Sequence, residues 1–154
     1  MHQFMRQQLI FPLLLAVMTT GVYEPAIAQT PPDILWQHNY GGSSSEAGRK
    51  ILPTNDGGYI VTARTQSNDG DVIGYYGLTD IWIIKLNALG ELEWQRCMGG
   101  SDQEWNETVI RQTSDGGYIL GAYTNSTDGD VECSSQELST IWVTKLDVLG
   151  NVLW

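Results

Sequence analysis

The chain has 154 residues and a formal net charge of −10, from 8 Lys and Arg residues against 18 Asp and Glu residues. This acidic balance argues against nucleic acid and anionic membrane surfaces as partners, because both are bound through basic side chains. Two cysteines and a single histidine beyond residue 28 are too few for a recognisable zinc site.

Residues 1–28 have the pattern of an export signal. Arg6 supplies a basic start, Leu9–Val17 forms an apolar run, and Ala26–Ala28 before Gln29 fits a small-residue cleavage site. The apolar run is too short to span a membrane. We therefore expect a secreted or cell-surface protein without membrane insertion, with a short linker at residues 29–33 before the folded part.

Residues 34–154 read as two similar copies, at about 36–94 and 94–154. Trp36, Trp94 and Trp154 mark the frame, with steps of 58 and 60 residues (94 − 36 and 154 − 94). The other recurring motifs are Gly41-Gly42 with Gly99-Gly100, Asp56–Ile60 with Asp115–Ile119, Asp69–Asp71 with Asp128–Asp130, Ile81-Trp82 with Ile141-Trp142, and Leu89-Gly90 with Leu149-Gly150. A fixed period of this length indicates that each copy is one supersecondary unit, which buries an apolar face against its neighbour.

Each copy is predicted to form four short antiparallel strands, because β-branched and aromatic runs alternate with Gly and Asp clusters. In the first copy these strands are Arg49–Thr54, Tyr59–Arg64, Ile81–Leu86 and Glu91–Met98. Asp56–Gly58 and Asn87–Gly90 are predicted tight turns, whereas Gly41–Gly48 and Gln66–Asp80 are longer connections. Alternate connections of an up-and-down sheet lie at the same end, so the longer connections share one face, named here the long-loop face.

Four antiparallel strands in a repeat of this length describe a β-propeller blade, so the predicted fold class is all-β. Two blades make an incomplete propeller, because a ring typically needs about 4–8 of them. The sequence stops at Trp154, within the predicted fourth strand of its second copy. We expect further blades to come from a longer chain or from self-association.

A series of motifs in the second copy resembles a repeat found in large exported bacterial proteins. The motifs are Gly99–Ser101, Thr113–Ile119, Ser126–Val131 and Ile141–Trp154. These propeller-like repeats are roughly sixty residues long, and a C-terminal domain for type IX secretion often follows them. The resemblance covers Leu35–Trp154. It implies a surface or extracellular scaffold and little about chemistry.

Five tryptophans keep the repeat register and are predicted to lie in the core or between blades: Trp36, Trp82, Trp94, Trp142 and Trp154. Trp105 has no counterpart in the first copy and is predicted to lie, beside Glu104, in a long connection. Tyr75 and Tyr76 hold a similar place in the other long connection. These four residues are the candidates for binding a glycan or a protein, because binding residues often lie on loops held by a rigid scaffold. The alternative is that Trp105 caps a neighbouring blade.

Two loops place pairs of carboxylates around a flexible glycine. Calcium takes several oxygen ligands from such loops, so the candidate metal ligands are Asp69, Asp71, Asp128 and Asp130. Ordinary turn formation by Asp and Gly explains the same pattern without a metal. No other cofactor is expected.

Cys97 and Cys133 both belong to the second copy and are both predicted to lie on the long-loop face. An exported chain with two cysteines permits a disulfide between them. The alternatives are two separate thiols, or pairing with blades outside this chain.

These features predict a non-enzymatic scaffold or binding module that acts in adhesion or in recognition of a glycan or a protein. No nucleophile–base pair and no pair of carboxylates stands out by its spacing. Two alternatives remain. The chain is the N-terminal part of a propeller hydrolase or lyase whose catalytic residues lie elsewhere, or it is a purely structural repeat spacer.

Overall fold

The structure, a computed structural model, describes residues 32–132 and 139–154, and of residues 105–108 it describes the backbone alone. The predicted export signal at residues 1–28 and residues 29–31 of the predicted linker lie outside the described residues. Residues Ile34–Trp154 form one compact unit. Its described part consists of strands, turns and irregular connections, and no helix there is long and apolar enough to cross a membrane.

In the described ranges seven strands form two antiparallel sheets, which confirms the all-β prediction. Sheet 1 has the order β1-β2-β3-β4, with strands at Glu46–Pro53, Tyr59–Thr65, Asp80–Leu86 and Leu92–Met98. Sheet 2 has the order β5-β6-β7, with strands at Glu104–Gln112, Tyr118–Thr124 and Thr140–Leu146. Strands that are consecutive in the sequence are neighbours in each sheet, as expected for up-and-down units.

Sheet 2 has three strands in the described ranges, where the sequence predicted four. After β7 the chain turns back, and the Leu153 N–H donates to the Lys145 carbonyl over 2.8 Å. Val152 forms a single antiparallel bridge with Leu146. Residues 151–154 therefore run beside β7 in the register that β4 has beside β3, but they pair over too short a length to form a strand.

Two strands begin earlier than predicted, at Glu46 and Glu104. The prediction that Trp105 lies in a connection is therefore wrong, because it is the second residue of β5. The cause is a repeated cross-strand hydrogen bond: the Thr65 hydroxyl donates to Glu46 Oε1 over 2.9 Å, and the Thr124 hydroxyl donates to Glu104 Oε1 over 2.8 Å. These contacts extend the pairing into charged residues that resemble a loop in the sequence.

The tight turns lie where they were predicted. Gly57 and Gly90 have φ values of +83° and +77°, in the left-handed region that glycine adopts most easily. At the first turn the Asp56 carboxylate accepts the N–H of Gly58 over 3.0 Å, and Lys85 Nζ lies 2.8 Å from the same carboxylate. The tight turns share one end of sheet 1, so the longer connections lie at the other end.

Each sheet has two apolar faces, named here after the first two residues of its second strand, β2 in sheet 1 and β6 in sheet 2. The tyrosine face carries Tyr59 in sheet 1 and Tyr118 in sheet 2, and the isoleucine face carries Ile60 in sheet 1 and Ile119 in sheet 2. Successive side chains of a strand point to opposite faces. All seven residues of β3 are buried, as expected for a strand that is covered on both faces.

The core lies between the isoleucine face of sheet 1 and the tyrosine face of sheet 2. Its buried members are Ile60, Ile81, Ile83 and Met98 from sheet 1, with Ile110, Tyr118, Leu120, Ala122 and Leu146 from sheet 2. Complete burial of a large apolar side chain stabilises the fold by about 1.5–3 kcal/mol. A second cluster, which includes Trp82 and Val72, covers part of the tyrosine face of sheet 1 and is itself covered by Tyr40 and Tyr75.

The in-register tryptophans do not all share one environment. Trp82 is 1% exposed, and Trp94 and Trp142 pack at the edge of the core. Trp36 is half-buried. Trp154, however, is 65% exposed and lies outside the core, so its place between blades stays a prediction. Its side of sheet 2 has no neighbouring sheet among the described residues.

Candidate functional site

The long connections of the first copy are fastened to each other by backbone and carboxylate hydrogen bonds. The Asp71 N–H donates to the Gly41 carbonyl over 3.0 Å, and the Gly41 N–H donates to Asp71 Oδ2 over 3.1 Å. The Ser43 N–H donates to Asp69 Oδ1 over 2.7 Å, which lowers the pKa of that carboxyl. The long-loop face is therefore a fixed surface rather than a set of separate loops.

The second copy repeats this arrangement. The Ser101 N–H donates to Asp128 Oδ1 over 2.8 Å, and the Gly99 N–H donates to Asp130 Oδ2 over 3.4 Å. Arg96 lies 3.6 Å from Asp130 as an ion pair. All four aspartates that were considered as calcium ligands thus accept backbone N–H groups from the other long connection of their copy, 26 to 31 residues away in the sequence. Among the described residues no group of three or more His, Cys, Asp or Glu side chains is placed to hold a metal, and calcium binding stays a prediction.

Glu104 lies in the junction between the sheets and is 1% exposed. Its backbone N–H donates to the Thr79 carbonyl over 2.9 Å, and its carboxylate accepts from Thr124 and, over 3.4 Å, from the Gly100 N–H. Burial raises the pKa of Glu104 to about 7, although hydrogen bonds from Ser126, Thr124 and Gly100 oppose the shift. These internal contacts explain its position without a ligand, and binding by this carboxylate stays a prediction.

Glu46 is the counterpart of Glu104 in the first copy, and its environment differs. No sheet of the described chain precedes sheet 1, and Glu46 is correspondingly half-buried. Burial acts to raise the pKa of Glu46, but hydrogen bonds from Ser67, Gly42 and Thr65 outweigh it and lower the pKa. The same residue in the same motif therefore has opposite pKa shifts because one copy is covered and the other is not.

Asp80 organises the connection that carries the two candidate tyrosines. It is fully buried, and its carboxylate accepts the N–H of Tyr76 over 2.8 Å and that of Gly77 over 3.3 Å. Burial is the main cause that raises its pKa. Its counterpart in the second copy is Thr140, so the departure from the repeat is the sequence signal that marks this residue.

Three apolar side chains on this connection are exposed to solvent. Ile73 is 69% exposed, Tyr76 is 62% exposed and Leu78 is 55% exposed. Tyr75 instead packs against the cluster around Trp82, so the two tyrosines that were predicted together have different roles. The exposed set of Ile73, Tyr76 and Leu78 is named here the loop patch. Of these three residues only Tyr76 was predicted from the sequence as a binding residue.

The backbone under the loop patch is held at three points. The Ile73 carbonyl accepts from Gln95 Nε2 over 3.2 Å, and the Leu78 N–H donates to the Asp102 carbonyl over 3.1 Å. The third point is the hydrogen bond between the Tyr76 N–H and Asp80. Apolar side chains on a restrained backbone lose little conformational freedom on binding, which favours recognition of a partner.

The remaining predicted site residues are only partly described. The side chain of Trp105 lies outside the described residues, so its role as a ligand-binding aromatic stays a prediction. Cys97 is 7% exposed, and burial, with nearby Asp80, raises the pKa of its thiol to about 12. Cys133 lies outside the described residues, and the disulfide between the two cysteines also stays a prediction.

The sequence was compared with models of known protein families and with curated proteins. No family model matches the chain, and no curated protein matches it.

Proposed function

We propose that this chain is an exported, non-enzymatic binding module that recognises a glycan or a protein through its long-loop face, in adhesion or capture at the cell surface. The observation that carries the proposal is the loop patch. Ile73, Tyr76 and Leu78 are exposed while the backbone that bears them is held by Gln95, Asp80 and Asp102. An exposed aromatic ring suits stacking on a sugar or on a partner side chain.

The two sheets are proposed to be blades of a β-propeller. Support comes from the two antiparallel up-and-down sheets, which pack face to face. Their sequences are two copies of the same repeat. The ring would be completed by further blades, from a longer chain or from self-association. Export rests on the pattern of residues 1–28, and the acidic charge fits a soluble extracellular protein.

A matched pair of leucines tests the binding face. Leu78→Ala removes a side chain of the loop patch, whereas Leu89→Ala removes one that is 64% exposed at a tight turn of the opposite end. We expect Leu78→Ala and Tyr76→Ala to lower binding to an array of surface glycans and immobilised surface proteins by at least about tenfold, as truncation of a central contact does. Leu89→Ala should bind as the unchanged chain does.

Other outcomes of the same screen would favour the alternatives. Turnover of a bound glycan would indicate the propeller hydrolase or lyase and contradict a binding-only role. Equal binding by Leu78→Ala and Leu89→Ala would remove the loop patch as the site. In that case loss of binding in Trp105→Ala would move the site to β5, and the absence of any ligand would indicate a structural spacer.

A further inference from the structure

Sheet 1 and sheet 2 of the described chain pack against each other through one face of each. The isoleucine face of sheet 1 covers the tyrosine face of sheet 2, and the contact leaves Ile83 and Ile110 with no exposed surface and Leu120 with 1%. A parallel bridge between Thr79 and Gln103 closes one edge of the contact. Each sheet uses only one of its two faces here.

The isoleucine face of sheet 2 is exposed, whereas the equivalent face of sheet 1 is buried in this contact. Ile141 is 73% exposed, and its counterpart Ile81 is 2% exposed. Val143 is 47% exposed, and its counterpart Ile83 is fully buried. The pairing register makes these residues equivalent. Ile81 lies opposite the sixth residue of β2, and Ile141 lies opposite the sixth residue of β6.

No sheet of the described chain covers the tyrosine face of sheet 1; Tyr40 and Tyr75 cover its β3 side around Trp82, whereas its β1 side is exposed. Ile51 is 55% exposed, whereas its counterpart Ile110 is fully buried. Tyr59 and Val61 are half-buried, although Tyr118, the counterpart of the first, is fully buried. The molecule therefore exposes, at its two ends, the two halves of a contact that it also makes internally.

We propose that a second copy of this chain docks the tyrosine face of its sheet 1 on the isoleucine face of sheet 2, and so repeats between chains the contact made within one chain. Such a contact joins different surfaces of the two copies, which makes it heterologous and able to close a ring of a few copies. Two to four copies would supply about 4–8 blades, the usual size of a propeller. The inference rests on the propeller architecture proposed above and is independent of any ligand.

A hollow at the edge of sheet 2 leaves room for residues of the docked second copy. In sheet 1 the Trp82 indole N–H donates to Gln95 Oε1 over 2.8 Å. Beside Trp142, the counterpart of Trp82, there is instead a hollow of about 440 Å³, lined also by Val143 and Trp154. Gln37 follows Trp36 as Gln95 follows Trp94, so a docked copy brings Gln37 to the Trp142 indole.

The docked copy also brings its own tryptophan. Trp36 lies against Tyr59 of its own sheet 1, with ring centroids 5.9 Å apart, and this is the position that Trp154 would otherwise take on a following sheet. Trp154 has to move aside on docking, which its exposed position at the end of sheet 2 permits. Removal of its ring should therefore not weaken association.

Two charge variants of the full chain test the proposal. Ile141→Glu blocks the face on sheet 2 and Ile51→Glu blocks the face on sheet 1, and a buried unpaired carboxylate should weaken association at least about a hundredfold. Light scattering and sedimentation at several concentrations give the mass of each variant. Leu89→Glu, at an exposed leucine outside both faces, is the control.

The expected result has four parts. The unchanged chain and Leu89→Glu associate, each blocked variant is monomeric alone, and an equimolar mixture of the two blocked variants forms a dimer, because one intact face remains on each. Trp154→Ala associates as the unchanged chain does. Circular dichroism checks that each variant is folded, and Val143→Glu and Ile51→Lys replace a variant that is not.

Three results would overturn the proposal. The first is a monomeric unchanged chain at all concentrations, which would leave the two faces for sheets of a longer chain. The second is a blocked variant that associates alone, as a contact between two identical faces would allow, or a mixture of blocked variants that stays monomeric. The third is loss of association in Trp154→Ala. None of these results depends on ligand binding, so failure here is distinguishable from failure of the proposed function.

Discussion

Trp94 lies edge-on against Tyr118, with ring centroids 5.9 Å apart and an angle of 66° between the ring planes. Trp94 belongs to the last strand of sheet 1 and Tyr118 begins the middle strand of sheet 2, so the contact joins the two copies of the repeat. Trp36 and Tyr59 repeat the contact at 5.9 Å and 62°. Trp36 and Trp94 thus each pack against the sheet that follows them in the sequence.

Replacement of Trp94 by alanine should therefore loosen the junction between the sheets. We expect Trp94→Ala to lower the free energy of unfolding by about 3 kcal/mol, the low end for truncation of a large aromatic residue, because Trp94 is only partly buried. Urea unfolding followed by circular dichroism measures the change. Trp154→Ala is the matched control and should shift stability by less than about 0.5 kcal/mol, since its ring is exposed. Equal losses in the two variants would contradict the assigned role of Trp94.

The turn glycine beneath Trp36 should not tolerate a side chain. Gly90 has a φ of +77°, and a Cβ at this position would lie 2.6 Å from a ring atom of Trp36. The left-handed backbone alone costs about 1–2 kcal/mol for alanine, and the ring contact adds to this cost. We expect Gly90→Ala to lower the free energy of unfolding by at least about 2 kcal/mol.

Gly48→Ala is the matched control for that change. Gly48 has no positive φ, and a Cβ there would meet no atom within 4 Å. Its substitution should leave stability unchanged or raise it by about 0.4–1 kcal/mol, because alanine restricts the unfolded chain. A loss at Gly48 as large as the loss at Gly90 would show that the turn conformation and the Trp36 contact are not the cause.

Glu104 should make the stability of the protein depend on pH. Its pKa is about 7 in the folded protein against an ordinary value of 4.5, so between these values the folded state binds the proton that the unfolded state has lost. Glu104 therefore contributes fully to the free energy of unfolding below pH 4.5. This contribution, on the order of 3 kcal/mol, is lost as the pH rises to about 7. Glu104→Gln removes this dependence.

Urea unfolding of both proteins at about pH 5 and about pH 8 checks the sign. Relative to the unchanged chain, Glu104→Gln should become more stable as the pH rises. Glu46→Gln should show no such gain, because the pKa of Glu46 is lowered and its contribution is lost only at acid pH. A parallel pH dependence of Glu104→Gln and the unchanged chain would show that this carboxyl does not titrate in the range.

Removal of divalent cations should leave the melting temperature unchanged. Asp69 and Asp128 accept the N–H groups of Ser43 and Ser101, and these hydrogen bonds fasten both loops without a metal. Thermal unfolding with a chelator and with millimolar calcium compares the two conditions. A melting temperature that rises with calcium concentration would instead support the calcium site predicted from the sequence, because a ligand that binds only the folded state stabilises it by mass action.

Local features were predictable from the sequence alone. The repeat predicted both tight turns, and Gly57 and Gly90 adopt the left-handed backbone that was expected. Runs of β-branched and aromatic residues bounded by Gly and Asp predicted strands β2 and β3 to within one residue at each end. These features depend on the conformations of a few adjacent residues, and side-chain periodicity reports them directly.

The tertiary structure decided what distant parts of the chain impose. Glu46 and Glu104 occupy the same place in the repeat, yet only Glu104 is covered by a neighbouring sheet, and the shifts of the two pKa values differ in sign. Likewise Trp105 belongs to a strand because Thr124 pairs with Glu104 across the sheet, and the separate roles of Tyr75 and Tyr76 follow from burial and from Asp80. A repeated sequence specifies its strands and turns locally, whereas exposure and ionisation depend on which sheet lies next to each copy.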